Sequence, residues 1–164
     1  MDPQVKNEII KRLETKYGEL DPLVVHRGCV HDYLGMTLDS PQKVKVIVTI
    51  LDYIEKMLKE IPMDFSGESL MPENSHLFDV NEDAGKLDPE RAAEAHHIIA
   101  KNISLCKRAR PDILLPTVFL GTRVKAPEIY KWKKLRKTMQ YLRATKDLLL
   151  TLESDDIHVV KCCG

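Results

Sequence analysis

The residues most suggestive of chemistry are cationic and aromatic side chains in a predicted helix near the end of the chain. At about 100° per residue, the apolar residues of segment 127–143 share one helix face, while lysines and tyrosines share the opposite face. That second face carries Tyr130, Lys133, Lys134, Lys137 and Tyr141. Lysine neutralises phosphates and a tyrosine ring contacts sugar or base, so this face is a candidate nucleic-acid contact. The same pattern also fits a solvated face whose tyrosines pack on a neighbouring element, and the sequence leaves both interpretations open.

A charge asymmetry favours the first interpretation, although the chain as a whole is neutral. Residues 101–146 carry 13 Lys and Arg but only two carboxylates, a net charge of +11, whereas residues 61–90 carry a net charge of −7. A stretch of one sign this long indicates a polyanion partner such as nucleic acid, unless the basic and acidic segments face each other. Lys107, Arg108 and Arg110 add to the basic surface at a predicted helix end, where cations also complement the helix dipole.

An acidic cluster near the end of the chain has the composition of a metal site but the context of a turn. Glu153, Asp155 and Asp156 fall between two strand-like runs, where Asp is favoured because it hydrogen-bonds to turn backbone. Neighbouring His96 and His97 point about 100° apart on a helix, so they cannot chelate one metal ion together. No Walker loop, nucleophile elbow or zinc-ligand spacing is present in the sequence. We expect no catalytic residue, no metal site and no cofactor in this chain.

The first third of the chain predicts a helix, a β-hairpin and a second helix. Asp2 and Pro3 are an N-cap and first helical residue, and the apolar positions that follow predict a helix ending at Gly18. Residues 30–38 are predicted to form one strand, paired in an antiparallel hairpin with the alternating strand of residues 44–48. Thr49 is expected to cap the following helix.

Beyond this point the pattern becomes mostly helical. Residues 62–88 lack periodicity and are expected to form a mobile connector, anchored to the core by Leu77 and Phe78. Three helices are then predicted, starting at Pro89, Pro111 and Pro127.

Two further details complete the predicted fold. Pro116 is expected to kink the second of these helices or to split off its first turn. Residues 148–152 and 157–161 are predicted to form two short terminal strands. The predicted fold class is therefore α+β: a β-hairpin, a helical bundle and a short terminal β-hairpin.

Composition excludes several classes of protein. No apolar run approaches the roughly 18 residues that span a bilayer, and the N-terminus has no signal-peptide pattern. The four cysteines, Cys29, Cys106, Cys162 and Cys163, lack the regular spacing of a secreted disulfide framework. We therefore expect reduced thiols in an intracellular protein that makes no membrane contact.

A series of short motifs leads to a more specific hypothesis. In chain order they are Tyr33-Leu34-Gly35-Met36, Leu77-Phe78, the run 106–113, Thr122-Arg123-Val124, Lys134-Leu135-Arg136 and the run 141–145. The most specific members are Arg-Pro-Asp-Ile, Lys-Leu-Arg and Tyr-Leu-Arg-Ala-Thr at their observed spacings. Over nearly its whole length, the chain resembles the reverse transcriptase, or RNA-directed DNA polymerase, of copia-type long-terminal-repeat retrotransposons.

The resemblance implies a role for each part of the chain. It assigns residues 1–61 to a partial palm, 62–88 to a connector, 89–146 to a helical thumb and 147–164 to the start of a connection to a ribonuclease H domain. The motif at 33–36 matches the primer-grip hairpin, which holds the 3′ end of the primer. Together with the basic positions, it defines the expected nucleic-acid-binding residues: Tyr33, Leu34, Gly35, Met36, Lys107, Arg108, Arg110, Arg123, Tyr130, Lys133, Lys134, Lys137 and Tyr141.

Departures from the family pattern bear on activity. Such polymerases hold their metal ions on a Tyr-x-Asp-Asp turn and an upstream Asp, both located before the primer grip. Residues 1–29 contain no such turn, and the pair Asp155-Asp156 lacks the tyrosine. The chain stops at Gly164, where the family supplies its first ribonuclease H carboxylate. We therefore expect a fragment that retains nucleic-acid binding but lacks polymerase activity, with Mg²⁺ required only in the complete enzyme.

Two kinds of partner follow from these alternatives. As a reverse transcriptase fragment, the chain is expected to bind primer-template nucleic acid and the remainder of the polyprotein. The alternative is a non-catalytic helical interaction module, whose basic face binds its own acidic connector, another protein or nucleic acid.

Overall fold

The structure is a computed structural model that describes residues 2–42, 45–62, 65–73, 76–80, 85–122 and 129–153. It has the predicted α+β class, with an antiparallel sheet and a helical bundle. The elements, in chain order, are α1 (Pro3–Tyr17), β1 (Val30–Tyr33), β2 (Met36–Gln42), β3 (Lys45–Thr49), α2 (Leu51–Glu60), α3 (Pro89–Arg108), a 3₁₀ turn (Pro111–Ile113), α4 (Leu114–Gly121), α5 (Ile129–Ala144) and β4 (Leu150–Glu153).

The sheet has the strand order β1-β2-β3-β4, and every neighbouring pair is antiparallel. Paired residues and alternate residues of a strand share a face, so the register determines which side chains meet the core. The core-facing side carries His31, Tyr33, Met36, Leu38, Val46, Val48, Leu150 and Leu152. The pairing of β3 with β4 places residues 150–153 beside residues 45–48, which lie far away in the sequence.

Helix α1 begins and ends where the sequence predicts. The Asp2 side chain accepts a hydrogen bond from the Gln4 amide at 2.9 Å, and Pro3 follows as the first helical residue. Gly18 ends the helix and donates its N–H to the Glu14 carbonyl at 2.8 Å. None of its residues is buried, and the apolar residues Val5, Ile9, Leu13 and Tyr17 remain 40–47% exposed. This helix therefore contributes little to the core.

The core joins the sheet, α2 and the three-helix bundle. Its buried apolar members are Val48, Ile50, Ile54, Met57, Phe65, Ala95, Ile98, Ile99, Leu105, Cys106, Ala109, Ile113, Leu120, Trp132, Leu135, Met139 and Leu142. Asp88 caps α3 by accepting the Arg91 amide at 2.9 Å, as the sequence predicts. The predicted split near Pro116 also occurs, because Pro111–Ile113 forms a separate 3₁₀ turn before α4.

Two predictions of local structure differ from what is observed, and one lies outside the described residues. Residues 30–38 form two strands instead of one, because a two-residue turn at Leu34 and Gly35 interrupts them. The N-cap of α2 is Ile50, without a side-chain cap, in place of Thr49. The first terminal strand exists as β4, but the predicted strand at 157–161 lies outside the described residues. Among the described helices, none is both long and apolar enough to cross a membrane.

Candidate nucleic-acid interface

The hairpin tip between β1 and β2 is a tight two-residue turn that exposes an aromatic and an apolar side chain. Leu34 and Gly35 have φ values of +51° and +77°, and Tyr33 pairs with Met36 on either side of them. Positive φ at both central residues is the geometry of a type I′ hairpin turn. Tyr33 and Leu34 are each 59% exposed, whereas Met36 packs against the core. The motif predicted as a primer grip is thus a hairpin end with an accessible ring.

The end of α3 is attached to this tip. Arg108 Nη1 donates a hydrogen bond of 2.8 Å to the carbonyl oxygen of Leu34, across 74 positions of sequence. Lys107 precedes it in the last turn of α3 and is exposed. Cations in this position are also stabilised by the negative end of the helix dipole. Tyr33, Leu34, Gly35, Lys107 and Arg108 together are called the tip patch below.

Arg110, only two residues beyond Arg108, lies in the interior and is 1% exposed. Its guanidinium forms a bidentate pair with Asp112, with Nε to Oδ1 at 2.9 Å and Nη2 to Oδ2 at 2.7 Å. Nη1 and Nη2 also donate to the carbonyl and hydroxyl oxygens of Thr145, at 2.8 and 2.7 Å. We call these three residues the latch, because they join the end of α3 to the end of α5.

The latch corrects the prediction that Arg110 contacts nucleic acid, since an almost fully buried guanidinium offers a ligand no surface. Its carboxylate partner two residues along the chain was the sequence signal that could have indicated an internal ion pair.

The contacts of the latch also shift the pKa values of two side chains, Asp112 and Tyr141. Burial of the Asp112 carboxyl opposes its ionisation, but hydrogen bonds from Arg110 and Tyr141 and the charge of Arg110 outweigh burial and lower its pKa. Burial and the hydrogen bond to the Asp112 carboxylate raise the pKa of Tyr141. The Arg110 guanidinium lies 5.7 Å from the centre of the Tyr141 ring. Tyr141, predicted as a nucleic-acid contact, is therefore partly buried in the latch.

Helix α5 has its predicted apolar face in the core, but much of its polar face is covered. Residues 65–73 and 76–80, called the strap below, run along α5 in the opposite direction. Lys134 Nζ donates to the carbonyl oxygens of His76, Leu77 and Asp79, at 2.8, 2.5 and 2.8 Å. Lys134 of the predicted basic face therefore binds backbone of the acidic connector.

Further contacts extend the strap along the helix. Arg143 Nη1 donates to the carbonyl oxygens of Phe65 and Gly67, at 2.8 and 3.2 Å. Gln140 Nε2 donates to the Ser66 carbonyl at 2.5 Å, and Thr138 Oγ1 donates to the Pro72 carbonyl at 3.2 Å. Thr138, Gln140 and Arg143 were not predicted as functional residues, because nothing in the sequence distinguishes them from the other polar residues of α5.

Two aromatic contacts fix the strap at its ends. Phe65 is fully buried, and its ring meets Trp132 edge-on with centroids 4.7 Å apart. Phe78 meets Phe119 of α4 at 5.4 Å, also edge-on, although it remains largely exposed. Leu77 is buried but does not belong to the main core cluster, so the predicted attachment of the connector to the core by Leu77 and Phe78 is not shown. The described part of the connector is thus held along its length.

The remaining residues predicted to contact nucleic acid differ in their exposure. Lys133 is exposed, whereas Tyr130 and Lys137 are partly buried. The Lys134 ammonium lies 5.2 Å from the centres of both the Tyr130 and Phe119 rings. Arg123 lies outside the described residues. Of the predicted cations, the structure therefore exposes Lys107 and Lys133 most clearly.

Part of the positive charge is used to attach α2. Lys101 pairs with Glu60 at 2.5 Å and Lys146 pairs with Glu55 at 2.6 Å. These lysines, through hydrogen bonds and charge, lower the pKa values of Glu60 and Glu55. Both pairs are partly exposed, so each contributes at most a modest amount to stability.

The described residues contain no cluster of three or more His, Cys, Asp or Glu side chains that could hold a metal ion. Asp155 and Asp156 lie outside that part of the chain. Cys106 is buried beside Asp112 and Thr117, and burial raises the pKa of its thiol. A thiol in that state is a poor nucleophile, because only the thiolate is reactive.

Comparison with protein-family models, with curated proteins and with solved structures finds no match for this chain.

Proposed function

We propose that the chain binds primer-template nucleic acid as the primer-grip and thumb part of a reverse transcriptase of the copia type. The sequence motifs carry the resemblance, and one structural observation supports it most directly. The bond from Arg108 to the Leu34 carbonyl joins the hairpin tip to the first bundle helix. This contact supports the proposal because it joins a cation of the proposed thumb to the turn of the proposed primer grip, one residue beyond the exposed Tyr33.

The chemistry of the tip patch suits a sugar-phosphate backbone. Arg108 supplies positive charge at the turn that follows the accessible Tyr33, and Lys107 adds an exposed cation next to it in the sequence. Cations neutralise phosphates without reading base sequence, and a ring stacks on any base. Binding by this patch is therefore expected to be independent of sequence and to weaken steeply as salt increases.

We propose binding without polymerase chemistry for the 164-residue chain by itself. Two-metal phosphoryl transfer needs carboxylates that hold the ions beside the attacking and leaving oxygens. The sequence has no Tyr-x-Asp-Asp turn to provide them. Primer extension by the purified chain with Mg²⁺ would contradict this part of the proposal.

The test of binding is a titration of a fluorescent RNA–DNA hybrid, followed by anisotropy at several salt concentrations. Lys107→Ala is expected to weaken binding roughly three- to ten-fold and to reduce the slope of log K against log salt by about 1, because one phosphate contact is lost. Tyr33→Ala is expected to weaken binding with little change in that slope, because stacking releases no counterions.

Lys11→Ala is the matched control, since it removes an equal charge from an exposed position on α1. If Lys107→Ala and Lys11→Ala reduce affinity equally, the tip patch is not the contact. If the unmodified chain does not bind the hybrid even at low salt, the proposed function is wrong.

The second candidate function is a helical interaction module that binds protein. The observation in its favour is the strap, which covers much of the polar face of α5 with an acidic segment of the same chain. Size-exclusion chromatography and crosslinking distinguish the two candidates, because only the module is expected to form a stable protein complex without nucleic acid.

A further inference from the structure

We propose that the strap is an autoinhibitory cover, which Lys134 holds in place on the phosphate-binding face of α5. The inference rests on the proposed nucleic-acid function and adds a regulation to it: a duplex engages α5 only after the strap is displaced. In this inference, backbone carbonyls of the strap compete with phosphate for the cationic side chains of α5.

The course of the strap shows that it covers α5 over most of its length. Phe65 lies at Arg143 near the end of the helix, Pro72 lies at Thr138, and His76 lies at Lys134. Beyond the strap, the Gly85 carbonyl accepts the amide of Ile129, the first residue of α5, at 3.0 Å. These contacts follow the helix in order from its last turn to its first.

Lys134 is saturated by the strap. An ammonium group has three N–H donors, and three carbonyl oxygens lie within 2.8 Å of this one. A phosphate oxygen gains the same ammonium only by replacing those carbonyls. Strap and phosphate therefore compete for the same donors.

The strap also adds negative charge at this surface. Its carboxylates are Glu68, Glu73 and Asp79, of which Glu68 and Asp79 are exposed. With the strap in place, an approaching duplex meets carboxylates in front of the helix cations, which disfavours association. Once the strap is lifted, the cations of Lys134 and Arg143 face the solvent.

The strap is attached firmly at two buried side chains and more loosely between them. Phe65 and Leu77 are buried, but Leu70 and Met71 between them are 90% and 59% exposed. The polar contacts of the strap are exposed or partly buried, so water can replace them. Segments of this kind open locally at less cost than the core. The apparent affinity for a duplex then scales with the fraction of molecules in which the strap is open.

A reversible disulfide tests the inference. The Ser69 amide lies 3.3 Å from the Gln140 carbonyl, which places the two backbones close enough for a designed bridge. Ser69→Cys and Gln140→Cys are combined, in a background in which Cys29, Cys162 and Cys163 are Ser, and the bridge is confirmed by peptide mass. The oxidised protein is expected to bind the RNA–DNA hybrid about ten-fold more weakly than the same protein after reduction.

The outcomes separate the two proposals. Equal binding by the oxidised and reduced forms overturns the autoinhibitory role and leaves the proposed function intact. Absence of binding in both forms and in the background protein overturns the proposed function and this inference together. The background protein, which lacks the pair, controls for any effect of the reductant.

A second pair of variants tests whether Lys134 holds the strap in place. Lys134→Met keeps the apolar length of the side chain but removes the donors that hold the strap. It is expected to speed amide hydrogen exchange in residues 76–80. Lys133→Met, on the exposed neighbouring position, is expected to leave this exchange unchanged and to weaken hybrid binding. Equal exchange in residues 76–80 of Lys134→Met, Lys133→Met and the unmodified chain contradicts the inference.

Discussion

Arg108 and Arg110 belong to one Arg-Ala-Arg sequence at the end of α3, but they serve two different regions. Arg108 reaches the tip patch, where it bonds a turn carbonyl and remains partly exposed. Arg110 forms the latch with Asp112 and Thr145, where it is 1% exposed. A count of basic residues therefore gives the net charge of a segment, but it does not show which of the cationic side chains face the solvent and which face the interior. Whether a cation is available depends on acceptors that the fold brings to it.

The largest loss of stability is expected from a substitution in the latch. Arg110→Ala leaves the partly buried Asp112 carboxylate and the Thr145 carbonyl without their cationic donor. Removing one partner of a buried ion pair costs about 3 to 5 kcal/mol, and the expected loss here is about 3 kcal/mol because Asp112 is partly exposed. Urea denaturation measures it as a change in the free energy of unfolding.

Arg108→Ala is the matched control for the latch, from the same two-arginine sequence. It removes one hydrogen bond to a turn carbonyl, so its expected cost is about 1 kcal/mol. Equal costs for the two substitutions would show that the latch is not a separate structural unit.

A smaller effect is expected in the pH dependence of stability. Because the folded state lowers the pKa of Asp112, its ionised form stabilises the protein above the unfolded-state value of about 3.9. That contribution is lost as the pH falls from about 4 through the lower folded-state value. Asp112→Asn is therefore expected to flatten the acid limb of a plot of unfolding free energy against pH.

Glu60→Gln serves as the comparison for the acid limb. Glu60 also has a lowered pKa, from its hydrogen bond with Lys101, but its ion pair lies at the surface. Added salt should reduce the contribution of Glu60 more than that of Asp112, because partly buried pairs are screened less. An acid limb that is unchanged by Asp112→Asn would argue against the latch as a source of pH dependence.

The smallest effect concerns the turn in the tip patch. Leu34 adopts a positive φ of +51°, which is costly for a residue with a branched apolar side chain, and it is exposed. Asn-Gly is the preferred pair for this turn type, so Leu34→Asn is expected to stabilise the protein by about 0.5 to 1 kcal/mol in thermal or urea denaturation.

Gly35→Ala provides the opposite control, because its φ of +77° is strained for alanine although the space around it is open. If Leu34→Asn destabilises the protein as much as Gly35→Ala does, the turn assignment is wrong. A gain in stability with weaker hybrid binding would show that Leu34 is kept for contact with nucleic acid.

Much of the local structure could be predicted from the sequence because its signals are local. Asp2, Asp88 and the prolines that follow them mark two helix starts, and Gly18 marks a helix end. The turn at Leu34 and Gly35 was missed because leucine is rare at positive φ, so only glycine signalled the interruption. The capping position at Thr49 was wrong by one residue, since it belongs to β3.

The candidate site could be predicted only in part. The hairpin motif and the basic positions at the end of α3 were recognised, but their meeting through Arg108 and Leu34 joins residues 74 positions apart. No periodicity reports such a contact. The same is true of the strap. Its acceptors are backbone carbonyls, which every residue has, so the residue types in the sequence do not indicate the contact.

By itself the sequence determined most of the described helix boundaries, the apolar faces of the bundle and the separation of positive from negative charge along the chain. These properties depend on neighbouring residues and on side-chain periodicity. Only the tertiary structure decided which cations face the solvent, because Arg110 and Lys134 meet their acceptors through packing of distant segments. Desolvation and hydrogen-bond geometry act on that packing, and they turned one predicted basic surface into an exposed patch, a buried latch and a covered helix.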